Sequence, residues 1–202
     1  MSTVTIVKKN GFAAIAADTL ASYGSLRLSA EYSAQPGKIL RLGHSYLGMT
    51  GWAVNQQVLE HAIRSSGEAP ALLNSAEIFD VFLKLHPKLK EDYFLVPRGD
   101  ERDAYESSQM NVMIANPHGI FGVGSLRTVT EHERFWASGS GMEYALGAMH
   151  ALYDSGAEAV AIAEAGVRAA ITFDDATGAP IESHLIRLAP TAVADLEQLL
   201  QV

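Results

Sequence analysis

The architecture turns on residues 2–18: Ser2-Thr3-Val4-Thr5-Ile6-Val7-Lys8-Lys9-Asn10-Gly11-Phe12-Ala13-Ala14-Ile15-Ala16-Ala17-Asp18. Asn-Gly between two apolar runs is the strongest short-range hairpin signal, because both residues tolerate the positive φ that a tight turn needs. The first strand is expected to begin at residue 2 or 3, with no tail before it. The return run from Phe12 to Ala17 is apolar without alternation, which predicts burial on both faces.

Working outward, Lys38 to Leu42 and Ser45 to Met49 read as a strand pair around Gly43-His44. Residues 23–37 are mixed and turn-rich. Val54, Val58, Leu59, Ala62 and Ile63 lie at helical spacing and predict an amphipathic helix over 52–65. A second helix is expected from Asn74 or Ser75, both good caps, with Ile78, Phe79, Phe82 and Leu83 inward and Pro87 closing it. Residues 91–108 are polar and give the weakest signal.

Asn111 to Ala115 and Gly119 to Val123 predict a further hairpin around Asn116-Pro117-His118. Phe135 to Ala137 is a short strand. Two helices follow, with Met142, Leu146, Met149 and Tyr153 on one stripe and Val160, Ala163, Val167 and Ala170 on the other. Ile181 to Leu188 returns as a strand, and a last helix is expected from Pro190-Thr191 onward. Blocks of strands and blocks of helices predict an α+β fold, in which two antiparallel sheets pack face to face under outer helices.

The chain has 202 residues, a length that one domain can use to build a sizeable core. It has no cysteine, which removes disulfide scaffolds, thiol nucleophiles and iron–sulfur clusters. Its net charge of −8, without a basic stripe, argues against nucleic acid as a partner. No apolar stretch approaches the length of a membrane span, and residues 1–7 lack a basic region followed by an apolar core. A cytoplasmic setting with no membrane partner is the expectation.

Common catalytic motifs fail. Gly119, Gly122 and Gly124 are in the wrong order for a dinucleotide loop. Ser140 lacks both glycines of the hydrolase elbow. His44, His61, His86, His118, His132, His150 and His184 do not pair at ligand spacing and read as surface or core histidines. Asp174-Asp175 could ligate a metal but reads as a solvated turn. No cofactor is expected, and side-chain types leave any metal in carbonyl-rich turns undetermined.

The N-terminus offers different chemistry. Removal of Met1 leaves Ser2 with a hydroxyl and a free α-amine on one residue. The amine titrates near 7.7–8.0 in reference peptides, so its neutral form can act as general base for the adjacent hydroxyl.

Five segments stand in order: Ser2 to Gly11, Ile15-Ala16-Ala17-Asp18, Lys38-Ile39-Leu40-Arg41-Leu42, Gly48-Met49-Thr50-Gly51 and Ser138-Gly139-Ser140-Gly141. Together they resemble a proteasome β-type subunit, nearest the bacterial HslV (ClpQ) branch; the length also suits the betaproteobacterial proteasome homologue. Residues 67–108 match poorly. The resemblance implies a four-layer αββα sandwich of the N-terminal-nucleophile hydrolase type, one peptidase domain over residues 1–202. It also implies roles. Ser2 attacks the peptide carbonyl, Lys38 stands near its hydroxyl, and Asp18 pairs with Lys38. The Gly51 N–H serves the oxyanion, Ser140 with Asp174 or Asp175 holds the amine, Met49 lines the pocket for the substrate side chain before the cut, and Thr50 beside it is a substrate-binding residue.

The family usually carries threonine where Ser2 stands. Thr3 is the alternative nucleophile, at the cost of removing two residues. The interval from Ser2 to Lys38 is longer than in the HslV branch, and the family's S-G-G appears at best as Thr177-Gly178-Ala179. The implied assembly is a homo-oligomer of stacked rings acting on peptides or unfolded proteins, with an ATP-dependent unfoldase by analogy only. A catalytically silent ring-forming homologue and a small-amide hydrolase on the same fold are the alternatives.

Overall fold

The computed structural model of the chain describes residues 2–67, 70–97 and 103–190. The opening hairpin is β1 (Thr3–Lys9) and β2 (Phe12–Asp18). Asn10 and Gly11 take φ values of 51° and 78°, the left-handed pair that a two-residue type I′ turn requires. This hairpin forms the middle of a four-stranded antiparallel sheet, flanked by β10 (Phe135–Gly139) beside β1 and β11 (Ile181–Arg187) beside β2. The central position accounts for the unbroken apolar run. Val4, Ile6, Ala13 and Ile15 face a second sheet, whereas Val7, Ala14 and Ala16 face helices.

The second sheet is antiparallel in chain order: β5 (Ile39–Leu42), β6 (Ser45–Thr50), β7 (Asn111–Asn116), β8 (Gly119–Val123) and β9 (Val129–His132). Its outer face carries Leu47, Ile114 and Phe121 against Leu59 of α1 (Val54–Ser65) and Ile78, Phe82 and Leu89 of α2 (Ser75–Glu91). The first sheet is covered by α3 (Met142–Tyr153) and α4 (Ala159–Phe173), which contribute Met149, Ile162 and Val167. The layers are therefore α, β, β, α, as the sequence predicts. A small hairpin of β3 (Ala21–Tyr23) and β4 (Leu26–Leu28) follows β2.

Four details differ from the sequence reading. Pro87 lies inside α2 and does not close it. Leu85, His86 and Leu89 on either side of it are buried, so packing holds the helix together through the lost hydrogen bond. Phe79 and Leu83 are 43% and 48% exposed; the buried stripe is Ile78, Phe82, Leu85 and Leu89. β9 is a four-residue edge strand whose Thr-Glu-His content gives little apolar signal. Part of the turn-rich segment after residue 23 is the return strand of a hairpin. The helix expected from Pro190-Thr191 falls outside the described residues.

Lys9 fixes the end of β1 to the α3–α4 turn. Its ammonium donates to the carbonyls of Tyr153, Ser155 and Ala157 at 2.6, 2.7 and 2.9 Å. Lys9→Met keeps the stem but leaves these carbonyls without their charged donor. It should lower stability by about 2 kcal/mol, read as a reduced denaturant midpoint at constant slope. An unchanged midpoint would show that water replaces the lysine.

Candidate active site

Asp18 ends β2 and is fully buried. A buried carboxylate is tolerated only when its lone pairs meet donors. Oδ1 accepts the Thr3 N–H at 3.0 Å and the Lys38 ammonium at 2.8 Å. Oδ2 accepts the N–H groups of Leu20 and Gly178 at 3.2 and 3.1 Å. Four chain segments thus converge on one side chain. Because Lys38 Nζ and Thr3 N share one oxygen, the ammonium is held within one residue of Ser2.

The Lys38 side chain is 14% exposed. Burial holds its ammonium below the ordinary lysine range, and the charges of Asp18 and, more weakly, Asp174 oppose that shift. Its own backbone N–H donates to Glu182 Oε2 at 3.1 Å. Glu182 belongs to β11, an edge of the first sheet, and Lys38 enters β5, an edge of the second. The bond ties the two edges together next to the lysine.

On β1 the period of two separates neighbouring hydroxyls. Thr3 and Thr5 face the helices. Thr5 Oγ1 donates to the Ala163 carbonyl in α4 at 2.9 Å. Thr177 gives its hydroxyl proton to Asp174 Oδ2, so Thr3 is the donor in its 2.7 Å contact with Thr177 Oγ1. Ser140 Oγ also donates to Asp174 Oδ2, at 2.7 Å. Asp175 is exposed, and these contacts go to Asp174. Ser2 faces the opposite way, into a cavity between the sheets. Its carbonyl accepts the Ser140 N–H at 3.0 Å. That approach needs glycine at 139, where φ is +106° and a Cβ would lie 1.8 Å from the Ser2 oxygen.

The cavity has a volume of about 920 Å³. Ser2, Thr50, Gly51, Ser138 and Ser140 line one end, and Met113, His132 and Trp136 line the other. Gly51 follows β6 with φ +118°, a conformation that favours glycine. Thr50 and Ser138 share a hydrogen bond at 2.8 Å that links the second sheet to the first. Met49 points the other way. It packs in the core beneath α1 and α2 and does not line this cavity, because alternation sends residue 49 outward and residue 50 inward.

The sequence therefore pointed to Ser2, Asp18, Lys38, Gly51, Ser140 and Asp174, and the structure brings these six to one end of the sandwich. Thr177, Gly178 and Glu182 join them without having been singled out as site residues, apart from the weak Thr177-Gly178 match. His132, read as a surface or core histidine, lines the cavity. Among the described residues no group of three or more His, Asp or Glu side chains could hold a metal ion.

Comparison with protein-family models gives no match, and comparison with curated proteins gives none. Among solved structures the chain is similar to Thiobacillus denitrificans BPH, with 47% identity and a TM-score of 0.89, covering 94% of this chain and 100% of that one. The same protein in complex with epoxomicin gives 47% identity and a TM-score of 0.88 over 93% and 100%. Eukaryotic HslV from Trypanosoma brucei shares the fold, with 20% identity and a TM-score of 0.68 over 92% and 99%.

Lysine side-chain NMR should place the Lys38 titration below the ordinary value of about 10.4. Asp18→Asn should move it lower still, because burial then acts with less opposition. The folded chain releases this proton at lower pH than the unfolded chain does. Stability from this group therefore rises with pH across the window between the two midpoints. A Lys38 midpoint at or above the ordinary value would contradict the assignment.

Proposed function

The chain belongs to the bacterial proteasome homologue (BPH) family among the proteasome-β/HslV-like N-terminal-nucleophile hydrolases, and we propose that it hydrolyses peptide bonds through an acyl ester on Ser2. The observation that carries this reading is the shared Asp18 oxygen, which holds the Lys38 ammonium beside the first residues of β1.

In this mechanism removal of Met1 frees the Ser2 amine. The neutral amine takes the proton of Oγ as Oγ adds to the substrate carbonyl carbon. The Gly51 N–H donates to the oxyanion, a contribution of about 3–4 kcal/mol where such a donor is well placed. The ammonium formed on Ser2 gives its proton to the leaving nitrogen, and the carbon–nitrogen bond breaks. Water then attacks the ester, the amine accepts its proton, and Oγ regains one as the carboxylate product departs. Lys38 stabilises the developing negative charge on Oγ. Asp18 orients Lys38. Ser140 and Asp174 border the amine and limit its rotation.

The packing of Thr3 favours Ser2 as nucleophile. The Thr3 hydroxyl faces α3 and α4 and is donated to Thr177, so it would have to leave that contact and cross the strand to meet a substrate. The fully paired Asp18–Lys38 site speaks against a silent homologue, since an unused buried ion pair carries a desolvation cost.

Assembly into stacked homo-oligomeric rings completes the reading. Trp52, Val54, Phe79 and Leu83 are exposed on the α1–α2 side and offer apolar surface to a ring neighbour. Tyr144 and Phe173, packed at 5.5 Å and exposed on α3–α4, offer it to an opposing ring. The substrates are peptides or unfolded chains in the cytoplasm. No helix among the described residues is long and apolar enough to cross a membrane. An ATP-dependent unfoldase partner stays an analogy.

Ser2→Ala and Lys38→Ala should each reduce turnover of a short peptide amide by about 10³-fold or more, with native mass unchanged. Thr3→Val, which keeps the shape, should retain measurable turnover. Full activity in Lys38→Ala would exclude this mechanism. Wild-type rings without turnover would favour the silent homologue, and an active monomer or dimer would favour the small-amide hydrolase.

A further inference from the structure

The cavity at Ser2 continues well past the groups that the hydrolysis needs. It runs between β10, one edge of the first sheet, and β9, one edge of the second. At its far end His132 of β9 stacks on Trp136 of β10, with ring centroids 5.2 Å apart and planes within 9°. The stack bridges the two edges and closes that end. Alternation along β10 turns Trp136 and Ser138 toward the cavity and Phe135 and Ala137 toward the helices.

The cavity lies on one side of the reacting bond. Its lining includes Ser138, Gly139 and Ser140 but, among the described residues, neither Asp18 nor Lys38. Ser140, whose N–H is bonded to the Ser2 carbonyl, borders the Ser2 amine in the mechanism proposed above, and that mechanism puts the amine on this flank. The amine must hand its proton to the leaving nitrogen, so the leaving fragment lies on that flank.

The lining chemistry is equally one-sided. It contains no Asp, Glu, Lys or Arg among the described residues. Met113 and Met142 give adaptable apolar surface, and the Trp136 ring, 40% exposed, has a face available for stacking. A charged side chain entering here would lose hydration and meet hydroxyl and amide groups but no opposite charge among the described residues. Burial lowers the His132 pKa, which favours the neutral imidazole beside Trp136.

We propose that this half of the cavity is a leaving-group subsite that selects a large apolar or aromatic side chain immediately after the scissile bond, with Trp136 and His132 as the specificity-determining residues. The proposal rests on Ser2 being the nucleophile for its direction, and on the cavity alone for its chemistry.

Two readouts test it. In the first, quenched peptides identical up to the cut carry Phe or Asp after it. The wild-type chain should favour Phe at least about tenfold in kcat/KM. Trp136→Ala should bring that ratio toward one, and Trp136→Phe should restore part of it. A wild-type ratio near one, or a ratio unmoved by Trp136→Ala, overturns the subsite.

The second readout needs no turnover. The chain has two tryptophans, Trp52 and Trp136. In Ser2→Ala labelled with fluorotryptophan, a peptide beginning with Phe should shift the Trp136 fluorine signal and leave the Trp52 signal in place. A peptide beginning with Asp should shift neither. No Trp136 shift with the Phe peptide overturns the subsite even in an active enzyme. A shift in Ser2→Ala, alongside a wild-type chain that cuts nothing, sustains the subsite and counts against the Ser2 mechanism instead.

Discussion

The fully buried Asp18 carboxylate requires donors on both oxygens, and the site is organised around meeting that requirement. Thr3 comes from the neighbouring strand, Leu20 from the turn that follows, Gly178 from the loop before β11 and Lys38 from the entrance to the other sheet. Each donor arrives from a different segment, so the carboxylate is satisfied only when both sheets and the β11 approach are in place. The same contacts desolvate Lys38 and aim it at the start of β1. Stability and the candidate chemistry therefore depend on one interaction. Removing Asp18 would leave a buried ammonium and three backbone N–H groups to find other partners.

A second constraint is strand alternation. It sends Ser2 between the sheets and Thr3 toward the helices, Thr50 into the cavity and Met49 into the core. A one-residue register slip would exchange every one of these faces. The register of β1 against both β2 and β10 prevents the slip, and the close seating of the Ser2 carbonyl over Gly139 adds a steric check. Ser138, Gly139 and Ser140 are thereby fixed beside residue 2 although they lie far along the chain.

What the sequence made legible follows from range. The Asn10-Gly11 turn, the two-faced burial of Phe12 to Ala17 and the helical stripes of α1, α3 and α4 are local patterns, and the four layers follow from their order. Pro87 misled because local propensity ends a helix there while the buried Leu85 and Leu89 carry it on. β9 was missed because an edge strand needs little apolar character. Glu182 and Gly178 meet the site across more than a hundred residues, and no spacing rule reports such a contact. Strand parity turns Met49 toward α1 and away from the cavity that Thr50 lines. Asp174 could be separated from Asp175 only once the Ser140 and Thr177 hydroxyls had positions.

The central claim is that a chain-terminal Ser2, held beside Lys38 through Asp18, is the acylated residue. Intact-mass analysis of the purified assembly after treatment with a peptide-mimetic β-lactone, followed by peptide mapping, tests it directly. The predicted result is a chain lacking Met1 with one acyl adduct, mapped to the Ser2 hydroxyl. A chain that retains Met1, or an adduct on Thr3, would contradict it.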